Sequence, residues 1–123
     1  MVIPAAVRAA LEAHAREEAP NEACGLIVFR DREAVRYERG RNRLESPYRF
    51  ELDIDPELWF LEDEGYELAV FHSHPASAAK PSRTDVERIG LWAGRPFFIL
   101  SLSTGELNAF RIDRDGIEQE AVA

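Results

Sequence analysis

A mixed α/β fold with a mainly antiparallel sheet is the architecture to which two patterns in the chain point. Short apolar or alternating runs bounded by turn residues recur at 25–29, 34–37, 48–52, 67–74, 97–102 and 107–112. Three further stretches carry apolar residues at helical spacing. Strands joined by tight turns favour antiparallel pairing, and the helices have to cover the faces of the sheet they form. At 123 residues the chain is expected to be a single domain, 1–123, with a core of its own.

The elements follow in order. Pro4 fits the first position of a helix, and Val7, Ala10, Leu11 and His14 recur on one stripe, giving an amphipathic N-terminal helix. His14 on that stripe reads as a partly buried structural residue, since nothing ligand-like lies near it in sequence. Pro20 and Asn21 end the helix. Residues 25–29 then read as a short buried strand, with 34–37 as its hairpin partner across Arg30, Asp31 and Arg32. Asn42 to Pro47 has loop character, and 48–52 alternates as a short strand ending at Asp53. Asp55 caps a second helix with Pro56 in its first turn, Leu58, Trp59 and Leu61 facing inward, and Gly65 closing it.

Residues 67–74 change from apolar to polar along their length, as a central strand running into a site does, and Pro75 stops them. A small-residue loop, 76–81, leads to Ser82, which opens a third helix through Val86, Ile89 and Leu91. Residues 97–102 and 107–112 form a hairpin across Thr104 and Gly105, and 116–122 adds a last edge strand. Trp59, Trp92 and the phenylalanines read as core.

Composition narrows the function. With 46% hydrophobic and 31% charged residues the chain folds rather than staying disordered. A net charge of -8 disfavours nonspecific binding to nucleic acid or an anionic membrane, both of which need a basic face. No apolar run approaches the roughly 18 residues of a membrane span, and Arg8, Glu12 and Arg16 replace a signal-peptide core, so a cytoplasmic address is expected. The lone cysteine, Cys24, fits a reducing compartment and reads as a small core residue. Arginines cluster at Arg30, Arg32, Arg36, Arg39, Arg41 and Arg43; they read as the solvated face of a hairpin, or as a surface that receives an acidic partner.

Chemistry concentrates at His72-Ser73-His74-Pro75 and Ser82-Arg83-Thr84-Asp85. On a strand, alternate side chains share a face, so His72 and His74 point together and Ser73 points away. Asp85 as third ligand completes the count of a catalytic zinc site that keeps a position open for water. Ser82 and Asp85 also resemble a capping box, with Asp in place of the usual Glu. A cap alone leaves the two histidines unexplained, so the pair is read as part of the site, with Ser82 donating to an oxyanion. Ser73 is left a packing or supporting role. Proton transfer requires a further carboxylate, for which Glu17, Glu18 and Glu22 are equal by composition.

These residues resemble the JAMM, or MPN-plus, metalloproteases of the Mov34/PAD-1 group. The pattern there is a glutamate ahead of a strand, then H-x-H-P, then S-x-x-D; here it is met by Glu22, by 72–75, and by 82–85, with seven residues between His74 and Ser82. Residues 20–25, Pro-Asn-Glu-Ala-Cys-Gly, are similar to that group's P-x-E-x-C-G segment, and Asn42, Pro47 and Phe50 match its next landmark. The resemblance implies a cytidine-deaminase-like core of the JAB1/MPN kind and one zinc ion held by His72, His74 and Asp85. It further implies Glu22 as general acid/base and Ser82 supporting the oxyanion. The chain is too short for the insertions that shape a ubiquitin groove in eukaryotic members. Small stand-alone prokaryotic members act on the C-terminal tails of ubiquitin-like sulfur carriers or on their conjugates, and that is the substrate class expected. Competing readings are a metal-free scaffold module, a cell-wall peptide hydrolase like phage-tail relatives, and an iron(II) facial triad. The intact ligand set opposes the first, the lack of a second peptidase domain the second, and the close spacing of the histidines the third.

Overall fold

The computed structural model describes residues 1–123. Helix α1 (Ala5–Glu18) is followed by β1 (Cys24–Arg30), β2 (Glu33–Arg39), β3 (Arg41–Asn42) and β4 (Leu52–Asp53). A 3-10 helix (Pro56–Glu64) leads into β5 (Glu67–His74), then α2 (Arg83–Glu87) and a short 3-10 turn (Gly90–Trp92). Strands β6 (Pro96–Ser101), β7 (Leu107–Asp113) and β8 (Gly116–Glu120) complete the chain.

Six strands form one sheet in the order β2-β1-β5-β6-β7-β8, and β3 pairs with β4 apart from it. Every neighbouring pair in the large sheet is antiparallel except β5 with β6, so the mixed, mainly antiparallel expectation holds. Strand β5 lies between β1 and β6 and is buried from Leu68 to His74.

Alternation divides the core in two. On one face Ile27, Phe29, Phe71, Phe98 and Leu100 pack against Val7, Leu11 and Ala15 of α1. On the other, Leu26, Val28 and Leu68 meet Leu58, Trp59 and Leu61, while Val70, Phe97 and Ile99 meet Phe50, Ile89 and Trp92. The parity of Leu68 and Val70 carries through to His72 and His74, so both imidazoles emerge on the face opposite α1. His14 is buried on α1, its Nδ1 2.7 Å from the Tyr37 hydroxyl, in the structural role expected of it. No helix is long and apolar enough to cross a membrane.

Several expectations are corrected. Residues 48–51 are not a strand; only Leu52–Asp53 pairs, with Arg41–Asn42. The Asn42 side chain accepts from Leu44 N and Glu51 N and donates to Arg49 O, taking the backbone groups that a partner strand would use. The helix capped by Asp55 is 3-10 rather than α, with Asp55 Oδ1 accepting from Glu57 N at 3.0 Å and Gly65 left-handed at φ 90°. Phe60 on it is 65% exposed, not core, because Leu58, Trp59 and Leu61 use the inward directions. The helix opened by Ser82 stops at Glu87, short of Leu91; Gly90 turns left-handed at φ 47° and leaves Leu91 72% exposed. The arginine cluster, by contrast, is the solvated face expected of it, exposed and paired in place, with Arg36 on Glu38, Arg39 on Glu17, and Arg41 and Arg43 both on Asp53.

Candidate metal centre

The register of β1 against β5 places Cys24 opposite His72, so Glu22, two residues earlier, lies at the end of β5 that carries the histidines. Two hydrogen bonds fix that approach: Ala23 N donates to Ser73 Oγ at 2.8 Å, and Ser73 N donates to Ala23 O at 3.0 Å. Ser73, facing away from the imidazoles, thereby holds the segment that bears Glu22. From the other side Asn42 Nδ2 donates to Glu22 O at 3.2 Å, and Glu22 N donates to Ser46 O at 2.9 Å. Asn42 was legible only as a family landmark; nothing local marked it as the clasp between the Glu22 segment and residues 49–51.

Asp85 reaches the site from the first turn of α2. Ser82 Oγ accepts from Asp85 N at 3.0 Å and Asp85 Oδ2 accepts from Ser82 N at 2.9 Å, a complete capping box. The same Oδ2 stands 3.2 Å from His72 Nε2 and 3.1 Å from His74 Nε2, and the two Nε2 atoms are 3.0 Å apart. Cap and site are therefore one structure, and the two explanations weighed from the sequence do not compete.

This triangle fits a metal ion. Its edges are close to the roughly 3.4 Å that separates ligands held about 2.1 Å from a tetrahedral zinc. His74 Nδ1 lies 2.8 Å from Ala78 O, which places the proton on Nδ1 and turns the lone pair of Nε2 to the centre. His72 is stacked on Phe50 at 4.6 Å between ring centroids and flanked by Phe97 at 4.8 Å. Phe50 is a site residue that periodicity assigned to a strand; its signal was again the family landmark. His72, His74 and Asp85 are all buried and are a group able to hold a metal ion.

Burial and the contacts within the group set its electrostatics. Burial lowers the pKa of His72, partly offset by Asp85, so its ring is held neutral as a ligand must be. Burial also opposes charge on His74, yet the bonds to Asp85 and Ala78 raise it overall. At Asp85 burial acts upward, but the two imidazoles and Ser82 N hold the carboxyl well below the usual carboxylate range. Glu22 is pushed up to about 8, chiefly by burial, with a smaller contribution from the nearby Asp85 charge and an opposing one from His74. Its Oε1 is buried without a hydrogen-bond partner, as is His72 Nδ1. Cys24 is buried and free, its thiol pushed up to about 12 by burial, the small core residue expected.

The sheet, its flanking helices and this site together define a JAB1/MPN-type domain, the fold of an Archaeoglobus fulgidus JAB1/MPN domain protein with which the chain superposes at a TM-score of 0.61. That structure shares 17% sequence identity and covers 98% of this chain and 94% of its own. More particularly, residues 4–113 match the family described as prokaryotic homologs of the JAB domain, and the chain belongs to that family. A Desulfitobacterium hafniense protein solved in solution is 31% identical with a TM-score of 0.83, covering 99% of this chain and 90% of that one. Among curated relatives, the desampylase of Pyrococcus furiosus is 35% identical over 75 residues, 58% of this chain and 54% of the relative. The CysO-cysteine peptidase of Mycobacterium tuberculosis is 38% identical over 94 residues, 71% of this chain and 64% of the relative. The chain thus spans a little over half to just under two thirds of these relatives' lengths.

Proposed function

We propose that the protein is a zinc-dependent peptidase or isopeptidase that hydrolyses amide bonds at the C-terminus of ubiquitin-like proteins of the sulfur-carrier kind, or of their conjugates. The observation that carries this reading is the buried triangle of His72, His74 and Asp85 with the carboxyl of Glu22 held beside it. Relatives named desampylase and CysO-cysteine peptidase support the substrate class.

Zinc bound there would acidify a water to a pKa near 7 and polarise the carbonyl under attack. The remaining chemistry belongs to side chains. Glu22 accepts the proton of the attacking water and delivers it to the leaving nitrogen, a role for which a carboxyl lifted toward neutrality is matched. Ser82 Oγ accepts from Asp85 N, which leaves its O–H free to donate to the developing oxyanion. Ala78 O keeps the His74 ring oriented, and Phe50 excludes water from His72.

The test has two parts. Protein purified without added metal carries about one zinc per chain, and it removes a defined tail from ubiquitin-like proteins with C-terminal extensions, read by mass spectrometry. Glu22→Gln retains the zinc and slows cleavage by about 10²- to 10⁴-fold; equal activity in the variant removes the glutamate from the mechanism. A second reading, hydrolysis of cell-wall peptides, draws on a 32% identity over 103 residues to the tail tip assembly protein K of Escherichia phage N15, 83% of this chain and 41% of that protein. Muropeptides in the same assay separate the two.

A further inference from the structure

Acidic side chains outnumber basic ones 23 to 15, and nearly every guanidinium has a partner where it stands, an acidic side chain or, for Arg30, the Glu64 carbonyl and the Tyr66 ring. Arg111 sits between Glu67 and Glu120, Arg95 meets Glu62, and Arg32 meets Glu120. Arg49, Arg88 and Arg114 are the exceptions, with no side-chain hydrogen bond or ion pair. Arg114 lies in the turn between β7 and β8. Arg49 and Arg88 come from segments 39 residues apart in sequence, yet line one small cleft together with Phe50, Thr84, Asp85 and Phe97.

That cleft ends on a ligand of the metal centre. Outward, Arg88 and Phe50 continue into a groove of about 420 Å³ running between residues 50–52 and 87–92. The acidic residues on this groove do not satisfy the arginines: Glu87 is taken by Arg83 at 2.8 Å, and Glu51 makes no ion pair. Two unpaired guanidiniums against aromatic walls, in a chain of net charge -8, are a receptor for an anion that comes from outside the molecule.

We propose that Arg49 and Arg88 form a carboxylate-binding subsite that seats an anionic group of the substrate beside the scissile bond. This rests on the hydrolytic reading of the centre given above. A guanidinium grips a carboxylate through two parallel N–H···O bonds, and Arg49 and Arg88, both exposed, line the cleft beside Phe50 and Phe97. Two sources supply that group: the free α-carboxylate of the C-terminal residue to be released, or an acidic side chain next to the bond. The first describes an enzyme that trims an exposed C-terminus, the second one that reads tail sequence.

Four synthetic tail peptides distinguish these, pairing a C-terminal carboxylate with the amide, and a glutamate beside the bond with glutamine. With zinc-loaded wild-type protein, neutralising the group that is recognised lowers kcat/KM by about tenfold, mainly through KM. Sensitivity to amidation alone identifies the α-carboxylate; sensitivity to Glu→Gln alone identifies the side chain. In the Arg49→Ala/Arg88→Ala double variant the ratio between charged and neutral peptide falls to about one, and Arg88→Lys recovers part of it. Equal cleavage of all four peptides by wild type, or a ratio that survives in the double variant, overturns the subsite. A readout without turnover completes the test: in chelator-treated protein, the Nε–H NMR signals of Arg49 and Arg88 move with the charged peptide and not with its neutral partner. No movement overturns the subsite, whereas movement without any cleavage by the zinc form supports it and overturns the hydrolytic reading instead.

Discussion

Asp85 Oδ2 has three partners, Ser82 N and the Nε2 atoms of both histidines, so one oxygen serves a helix cap and the centre at once. Asp85→Asn keeps an acceptor for the cap and loses the charge that an ion requires. The variant is expected to fold while its zinc content falls from about one per chain to a small fraction, measured by metal analysis after gel filtration. A second residue sets pH behaviour far from the centre. Burial is the main cause that depresses the His14 pKa from 6.5, with the Arg39 charge adding to it, so the folded protein refuses a proton that the unfolded chain accepts. Stability from this group is present above about pH 6.5 and lost as pH falls through the depressed folded value. Between pH 7.5 and 5.5 the urea midpoint of wild type therefore drops further than that of His14→Gln. A parallel pH dependence in the two proteins contradicts this account.

At the scale of elements, α2 is five residues long, too short to persist by propensity, and depends on its cap. Ser82→Ala is expected to cost about 1 kcal/mol, and Ser82→Asn, an equally good cap, to restore it, both read by thermal unfolding. Any loss of rate that Asn does not restore belongs to the hydroxyl itself. The α1 stripe was legible from its 3.6-residue period, and β1, β5 and β6 from continuous apolar runs bounded by turn residues, which fits strands buried on both faces. His72, His74, Asp85 and Glu22 were legible as a spaced motif. Residues 48–51 misled because alternation there reflects Phe50 covering His72, and the pairing that would make a strand is pre-empted by Asn42. Leu91 and Phe60 misled for a related reason: hydrophobicity says that a residue can be buried, and left-handed Gly90 and a 3-10 path decide whether it is. The cleft between Arg49 and Arg88 had no sequence signal, since it depends on which guanidiniums lack a partner after folding.

Across the whole molecule the centre joins β5, in the interior of the sheet, to the only α-helix on that face, so an ion bound there braces two otherwise separate parts. Metal binding to the folded state alone adds about 4 kcal/mol at a thousandfold excess over Kd. Chelation should accordingly lower the melting temperature by roughly 10–20 °C, and zinc should restore it; a melting curve indifferent to both would detach the centre from folding.

The two histidines belong to a strand that must pair with β1 and β6 before the sheet exists, whereas Asp85 rides on a five-residue peg between loops. If that peg docks onto a sheet already formed, a third bond from Asp85 would close late in folding. Zinc is therefore expected to leave the refolding arm of a chevron plot where it was and to slow the unfolding arm, making the cation a latch on the finished structure rather than a seed for it.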